Sequence, residues 1–314
     1  MRSVTEKSVN CTGCENKQAR YTHGGDWCGD GSIRLDFSVN INPFGLPESG
    51  RKAYIDSISR LARYPDWDCR ALRQALGNKL QLLPEHIFCG NGAAELIDRI
   101  VRALHPRRAV LAVPAFSEYE RALRVEGCEI TYFPLCADKD FVLSQDFLEF
   151  LTVETDMVFL CNPNNPTGRL IDRDLLFRIQ ERCEEQQIWL VVDECFLEFT
   201  GKEKEQSLIG RLASKTIVLR AFTKIYAMPG LRLGYLVCGN GDAMQRIFQA
   251  GQCWNVSVPA QSVGIAVLSE EAYVRESVAC VQREREFLME GLRTEGFGVV
   301  PSETNFILFF SRET

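Results

Sequence analysis

Residues 87–104 read IFCGNGAAELIDRIVRAL. The apolar run His86–Cys89 predicts a strand, Gly90 and Gly92 turn the chain, and Ala93–Leu104 predicts a helix. Leu96, Ile97, Ile100, Val101 and Leu104 fall on one side of that helix at 3.6-residue spacing. The same alternation extends outward. Short apolar runs recur at Ala109–Val113, Ile130–Phe133, Met157–Cys161, Ile188–Val192, Thr216–Arg220 and Leu233–Val237, with helical stretches between them. Seven such runs predict an α/β fold: a three-layer, mostly parallel seven-stranded sheet. After about residue 250 the pattern changes. A Glu- and Arg-rich helix is expected from about Glu270 to Thr294, then a strand pair near Gly298–Val300 and Asn305–Phe310. These belong to a second, smaller α+β domain. The expected organisation is a flexible leader at 1–20, an N-terminal arm and part of the small domain at 21–45, a large domain at 46–250, and a small domain at 251–314 that ends early.

Composition bounds the function. The 314 residues are 46% hydrophobic and 25% charged, which is globular and excludes collagen-like or disordered classes. A net charge of −6 argues against a nucleic-acid partner. No run reaches the roughly 18 apolar residues of a membrane span, and the first residues carry no apolar export segment. Of the 13 cysteines, Cys89, Cys161, Cys195 and Cys238 lie in or beside apolar runs, where a thiol acts as a small hydrophobe. A cytoplasmic, reducing location is expected. Cys11 and Cys14 form a lone CxxC, and Cys28 alone does not complete a zinc site, so no metal is expected.

Four segments carry chemistry. In FCGNGAAELI (88–97) a helix begins directly after a glycine turn, so free N–H groups and the helix dipole can hold an anion. CNPNNPTG (161–168) follows a strand end, where open α/β sheets bind ligands, and is stiffened by two prolines. In WLVVDECF (189–196), Asp193 ends an apolar strand and needs a cationic partner, an arginine or a protonated cofactor nitrogen. Glu194 points to the opposite face if the strand continues. In LRAFTKIYAMPGLRLGYLV (219–237), Lys224 sits among apolar residues, where a desolvated amine can form a Schiff base, and Arg232 can reach the anion site at Gly92. Each segment alone also reads as a plain turn, a solvated aspartate or surface cations.

Together and in this order, GNGAAE, PAFSEY, CNPNNPTG, VVDE and TK with an arginine eight residues later resemble the fold-type I pyridoxal-phosphate enzymes, over about residues 23–310. The branch they resemble holds histidinol-phosphate aminotransferases and threonine-phosphate decarboxylases. The resemblance implies pyridoxal 5'-phosphate as cofactor, bound covalently by Lys224. Asp193 would keep the ring nitrogen protonated, Asn165 would donate to the ring oxygen, and Phe116 would stack on the ring. Gly92, Ala93, Thr223 and Arg232 would hold the cofactor phosphate. Tyr64 would reach the phosphate of a neighbouring subunit, which implies a homodimer with a shared active site.

Two positions depart from the family pattern. Phe196 stands where family aminotransferases carry a tyrosine, and Ala221 where many relatives carry a hydroxyl. His23-Gly24-Gly25, DFSVNINPFG, GNGAAELI, DECF and TKIYAMPGLRLGY resemble the decarboxylase side of the branch. There His23, with Asn165, would bind the substrate, a small phosphorylated amino acid. The implied reaction converts L-threonine O-3-phosphate to (R)-1-amino-2-propanol O-2-phosphate, in cobalamin biosynthesis. The alternatives are an aminotransferase acting on histidinol phosphate or an aromatic amino acid, and a cofactor-binding protein without catalysis. Relatives continue past PSETNFILFF into a segment that carries the arginine for the substrate carboxylate, and no residue here is assigned that role.

Overall fold

The computed structural model describes Gly24–Gly25 and residues 36–311. The expected leader, Cys11, Cys14, His23 and Cys28 lie outside these residues. The residues up to Asn40 and those from Ile41 onward form separate units. In the first, Ser38 donates its backbone N–H and hydroxyl to Asp36 Oδ1 and accepts from the Gly25 N–H.

The second unit opens with helices α1 (Glu48–Ser57) and α2 (Arg70–Leu80). It then alternates β1 (Ile87–Gly90), α3 (Gly92–Leu104), β2 (Arg108–Val113), α4 (Ser117–Val125), β3 (Glu129–Pro134), β4 (Met157–Cys161), α5 (Arg173–Glu185), β5 (Trp189–Asp193), α6 (Glu203–Gln206), β6 (Thr216–Ala221), α7 (Phe222–Ile225) and β7 (Gly234–Cys238). The helices α8 (Gly241–Gln249), α9 (Val258–Val267) and α10 (Glu271–Thr294) follow, then a hairpin of β8 (Gly298–Val299) and β9 (Phe309–Phe310). Each of the seven sheet strands lies within a residue of its expected bounds. The last strand is shorter than the expected Asn305–Phe310. Ser302 accepts the Thr304 N–H and donates to the Phe306 carbonyl, which curls the chain out of the ladder.

The sheet order is β1-β7-β6-β5-β4-β2-β3. Its inner strands β4 to β7 are near-continuous apolar runs because both faces are covered, whereas the edge strand β3 is largely exposed. Along β4, Val158 and Leu160 pack with α2, α5 and α9, while Met157 and Phe159 pack beneath α3, α4 and α8. All four are at most 2% exposed, and each such burial stabilises by roughly 1.5–3 kcal/mol. Asp172 caps α5 and Asn240 caps α8 through their side-chain oxygens; losing one such cap costs about 1 kcal/mol. Only β7 is antiparallel to its neighbours β1 and β6. The link from β6 holds one short helix, too little for a crossover, so the chain turns straight back. No described helix is long and apolar enough to cross a membrane.

Candidate active site

Register places the site. Gly90 pairs with Gly234, Gly234 with Ala221, and Cys161 with Asp193. The segments after β1, β2, β4, β5 and β6 therefore leave the sheet at one edge, and the antiparallel β7 begins there. This carboxyl edge is where open α/β sheets take ligands. It gathers Gly92, Ala93, Phe116, Asn165, Asp193, Thr223, Lys224 and Arg232.

At one end, Gly92 opens α3 with φ +80°, and no side chain caps the helix. A Cβ on Gly92 would stand 2.5 Å from Arg232 Nη2, so the guanidinium rests on the bare glycine. Gly234 likewise lets β7 approach the Ala93 N–H, which a Cβ there would meet at 2.8 Å. Arg232 donates to the Pro229 carbonyl at 3.2 Å and has no ion pair among the described residues. Uncapped N–H groups beside an unpaired guanidinium form a cradle for a doubly charged anion. Thr223 is buried at the start of α7, one residue before Lys224.

In the middle, Asp193 is 5% exposed. Its Oδ2 accepts from the Tyr119 hydroxyl at 2.7 Å and its Oδ1 from the Cys195 N–H at 2.9 Å. No cation pairs with it among the described residues, so it is a hydrogen-bonded buried carboxylate that still lacks its counter-charge. Burial, and then the Asp193 charge, push the Tyr119 hydroxyl well above its ordinary pKa, which keeps it a donor. Tyr119 in turn stacks on Phe159 at 5.1 Å and takes the edge of Phe116 at 5.7 Å.

Burial lowers the Lys224 pKa below its ordinary value; the Arg232 charge acts the same way, and Cys195 and Asp193 oppose it. The amine lies 5.5 Å from the centre of the Phe196 ring. Asn42 braces the turn that carries it. Its backbone N–H donates to the Lys224 carbonyl, and its side chain donates to the Ile225 carbonyl and the Ser277 hydroxyl. In the segment after β4, Asn164 donates to the Pro114 carbonyl and the Thr167 hydroxyl, which locks the half-buried Asn165 between two prolines.

Of the other expected residues, one stands apart from this group. Tyr64 is 83% exposed and packs on Trp254 at 5.1 Å, and His23 lies outside the described residues. Tyr119 and Asn42 were not singled out in the sequence. Tyr119 lies in the quoted PAFSEY, but its partner is 74 positions away and nothing local points to it. Glu194 does turn to the face opposite Asp193's, into a buried pair with Arg220 at 2.7 Å.

The arrangement joins an amine whose charge burial disfavours, a buried carboxylate lacking a cation among the described residues and an anion cradle. It suits a ligand that carries an anionic group at one end and a positive charge at the other. The family model for aminotransferase class I and II matches residues 32–313. The threonine-phosphate decarboxylase of Salmonella typhimurium is 39% identical over 87% of this chain and 76% of its own length. The histidinol-phosphate aminotransferase of Bacillus velezensis is 33% identical, also over 87% of this chain and 76% of its own length. The solved structure of the histidinol-phosphate aminotransferase from Clostridium acetobutylicum superposes with a TM-score of 0.82 at 30% identity, covering 88% of this chain and 82% of that one. The chain belongs to the aminotransferase class I and II family, and its cofactor is pyridoxal phosphate.

Proposed function

We propose that this protein decarboxylates L-threonine O-3-phosphate to (R)-1-amino-2-propanol O-2-phosphate, a step of cobalamin biosynthesis. The observation that carries this reading over amino transfer is the 39% identity with the Salmonella typhimurium threonine-phosphate decarboxylase, over 87% of the chain. The histidinol-phosphate aminotransferase of Bacillus velezensis, at 33%, supports amino transfer as the second reading. Phe196 beside Lys224 favours the first, since it offers no hydroxyl where family aminotransferases carry one.

The site fits pyridoxal phosphate in three respects. The bare Gly92 under Arg232 suits the phosphate, Asp193 with no cation beside it suits a protonated ring nitrogen, and burial disfavours the charged form of the Lys224 amine. When bound, the cofactor supplies an electron sink for the pair left on the substrate α-carbon. Every other part falls to this chain. Arg232, the Gly92 and Ala93 N–H groups and the Thr223 hydroxyl hold the cofactor phosphate. Asp193, oriented by Tyr119 and the Cys195 N–H, keeps the proton on the ring nitrogen. Asn165 donates to the ring oxygen and Phe116 covers a ring face. Lys224 would attach the cofactor through its amine, and would be the group that returns a proton to the substrate α-carbon. The choice between decarboxylation and amino transfer would rest on how this chain anchors the substrate carboxylate and phosphate. His23 and Asn165 contribute to substrate binding, and Tyr64 reaches the phosphate of a second subunit in a homodimer.

Carbon dioxide release from O-phospho-L-threonine, run beside amino transfer from histidinol phosphate to 2-oxoglutarate, tests the reading. Release without glutamate formation is the expected result. Glutamate without release would overturn it in favour of the aminotransferase.

A further inference from the structure

Lys224 stands on α7, a helix of four residues. One turn makes too few hydrogen bonds to hold itself, and its last carbonyls have no partner within the helix. The place of the lysine is therefore set by donors from outside α7. The Lys224 carbonyl accepts from the Ala227 N–H, just beyond the helix, and from the Asn42 N–H, each at 3.2 Å. The Ile225 carbonyl accepts from Asn42 Nδ2 at 2.8 Å.

Asn42 is buried and has no donor left over. Its Nδ2 also donates to the Ser277 hydroxyl oxygen at 2.7 Å, and its Oδ1 accepts the Phe44 N–H at 3.1 Å. Its side chain is spent on the protein and acts on the lysine turn rather than on a ligand. Ser277 lies on α10 and is buried as well. Its hydroxyl donates to the Tyr273 carbonyl one turn earlier, which leaves the oxygen to accept from Asn42. Tyr273, on the same face of α10, donates its hydroxyl to the Gly45 carbonyl at 2.7 Å and stacks on Tyr226, the residue that ends α7, at 6.4 Å. The turn at 42–45, the lysine helix and α10 interlock, and Asn42 is hydrogen-bonded to all three. A buried polar network whose donors are all used specifies one geometry.

We propose that Asn42 is a positioning residue for Lys224: by joining the Lys224 and Ile225 carbonyls to Ser277 of α10, it holds the amine in the buried place from which it takes the cofactor. The proposal rests on the reading of Lys224 as the lysine that carries the cofactor. Attachment requires the amine without its proton; its nitrogen bonds the aldehyde carbon of the cofactor, and the aldehyde oxygen leaves as water. A fixed turn favours this twice. It keeps the nitrogen in one place, and it keeps the amine away from water, which disfavours the charged form. The titratable groups that act on the amine, Cys195, Arg232 and Asp193, stand outside α7 and the 42–45 turn. Losing the Asn42 side chain leaves them in place, so slower attachment and an amine that keeps its proton to higher pH are both expected.

The test follows attachment of pyridoxal phosphate to the cofactor-free protein by visible absorbance across a pH series. Asn42→Leu keeps a side chain of similar size and removes its donors. Attachment should be roughly tenfold slower at neutral pH, with a pH midpoint above the parent's. Ser277→Ala removes one oxygen from α10 and should slow attachment roughly threefold, with the midpoint moved the same way. Asp172→Ala removes the cap of α5 without touching the lysine turn. It should lower the thermal midpoint and leave the pH midpoint at the parental value, which separates positioning from general loss of stability. A parental rate or parental pH midpoint in either folded brace variant, or an equal pH shift in Asp172→Ala, would overturn the proposal. Ser277→Ala decides if Asn42→Leu does not fold. Borohydride reduction and peptide mapping of the loaded parent distinguish the two ways of failing. Cofactor on another lysine sinks the reading of Lys224 and the proposal with it, whereas cofactor on Lys224 with parental behaviour in the variants sinks the proposal alone.

Discussion

Replacing Gly92 by alanine tests the anion cradle with a single methyl group. At φ +80° an alanine is strained, by about 1–2 kcal/mol. At roughly 2–4 °C per kcal/mol, the cofactor-free protein should unfold about 2–8 °C lower. That strain is present with and without cofactor and cancels from the binding constant. The contact with Arg232 does not cancel. The new Cβ would lie 2.5 Å from Nη2 and 3.1 Å from Cζ, so the guanidinium must swing off the glycine. It would take with it a charge-assisted hydrogen bond worth about 1.5–3 kcal/mol. The dissociation constant for pyridoxal phosphate should rise roughly ten- to 150-fold. Titration of the cofactor-free variant, followed by visible absorbance, measures this. Gly230→Ala is the control, because a Cβ there meets nothing within 4 Å although it sits two residues from Arg232. A Gly92→Ala protein that binds the cofactor within about threefold of the parent would refute the phosphate assignment.

Further outcomes follow from the same geometry. Tyr119→Phe leaves the buried Asp193 carboxylate with one donor fewer, so the cofactor-free protein should lose about 1–3 kcal/mol in denaturant unfolding, while Asp193→Ala should keep weak cofactor binding and lose turnover. Because burial lowers the Lys224 pKa from 10.5, the folded chain sheds this proton before the unfolded chain does. Cofactor-free stability should therefore rise with pH between the folded value and 10.5, and the rate of cofactor attachment should titrate with a midpoint below 10.5. Arg220→Met strands Glu194 and its neighbours without their cation, which should cost about 3–5 kcal/mol; a thermal midpoint equal to the parent's would show that the cluster does not hold β5 and β6 together.

The strands were legible because a buried parallel sheet writes itself as apolar runs, such as those that begin at Met157 and Thr216. The edge that gathers Gly92, Asp193 and Lys224 was legible for the same reason: Asp193 ends a strand, and Gly92 and Lys224 follow one. The brace of Asn42 on the lysine turn was not. It depends on chain crossings of 183 and 235 positions, which no local pattern encodes. Arg220 illustrates another limit. Inside IVLRAF it reads as an exception to an apolar strand, and only the fold reveals that Glu194, Glu198 and Glu203 converge on it. The last strand was overextended because Asn305–Phe310 has strand-like composition, while the Ser302 turn that consumes its first residues is a side-chain effect.

The central claim is that Lys224 carries the cofactor at this sheet edge. Reducing the loaded protein with borohydride fixes the cofactor to its lysine, and peptide mass spectrometry then locates it. The account predicts a single modified lysine, Lys224, and no covalent cofactor in Lys224→Ala. A cofactor found on Lys202, Lys204, Lys215 or any other lysine, or an undiminished adduct in the variant, would contradict it.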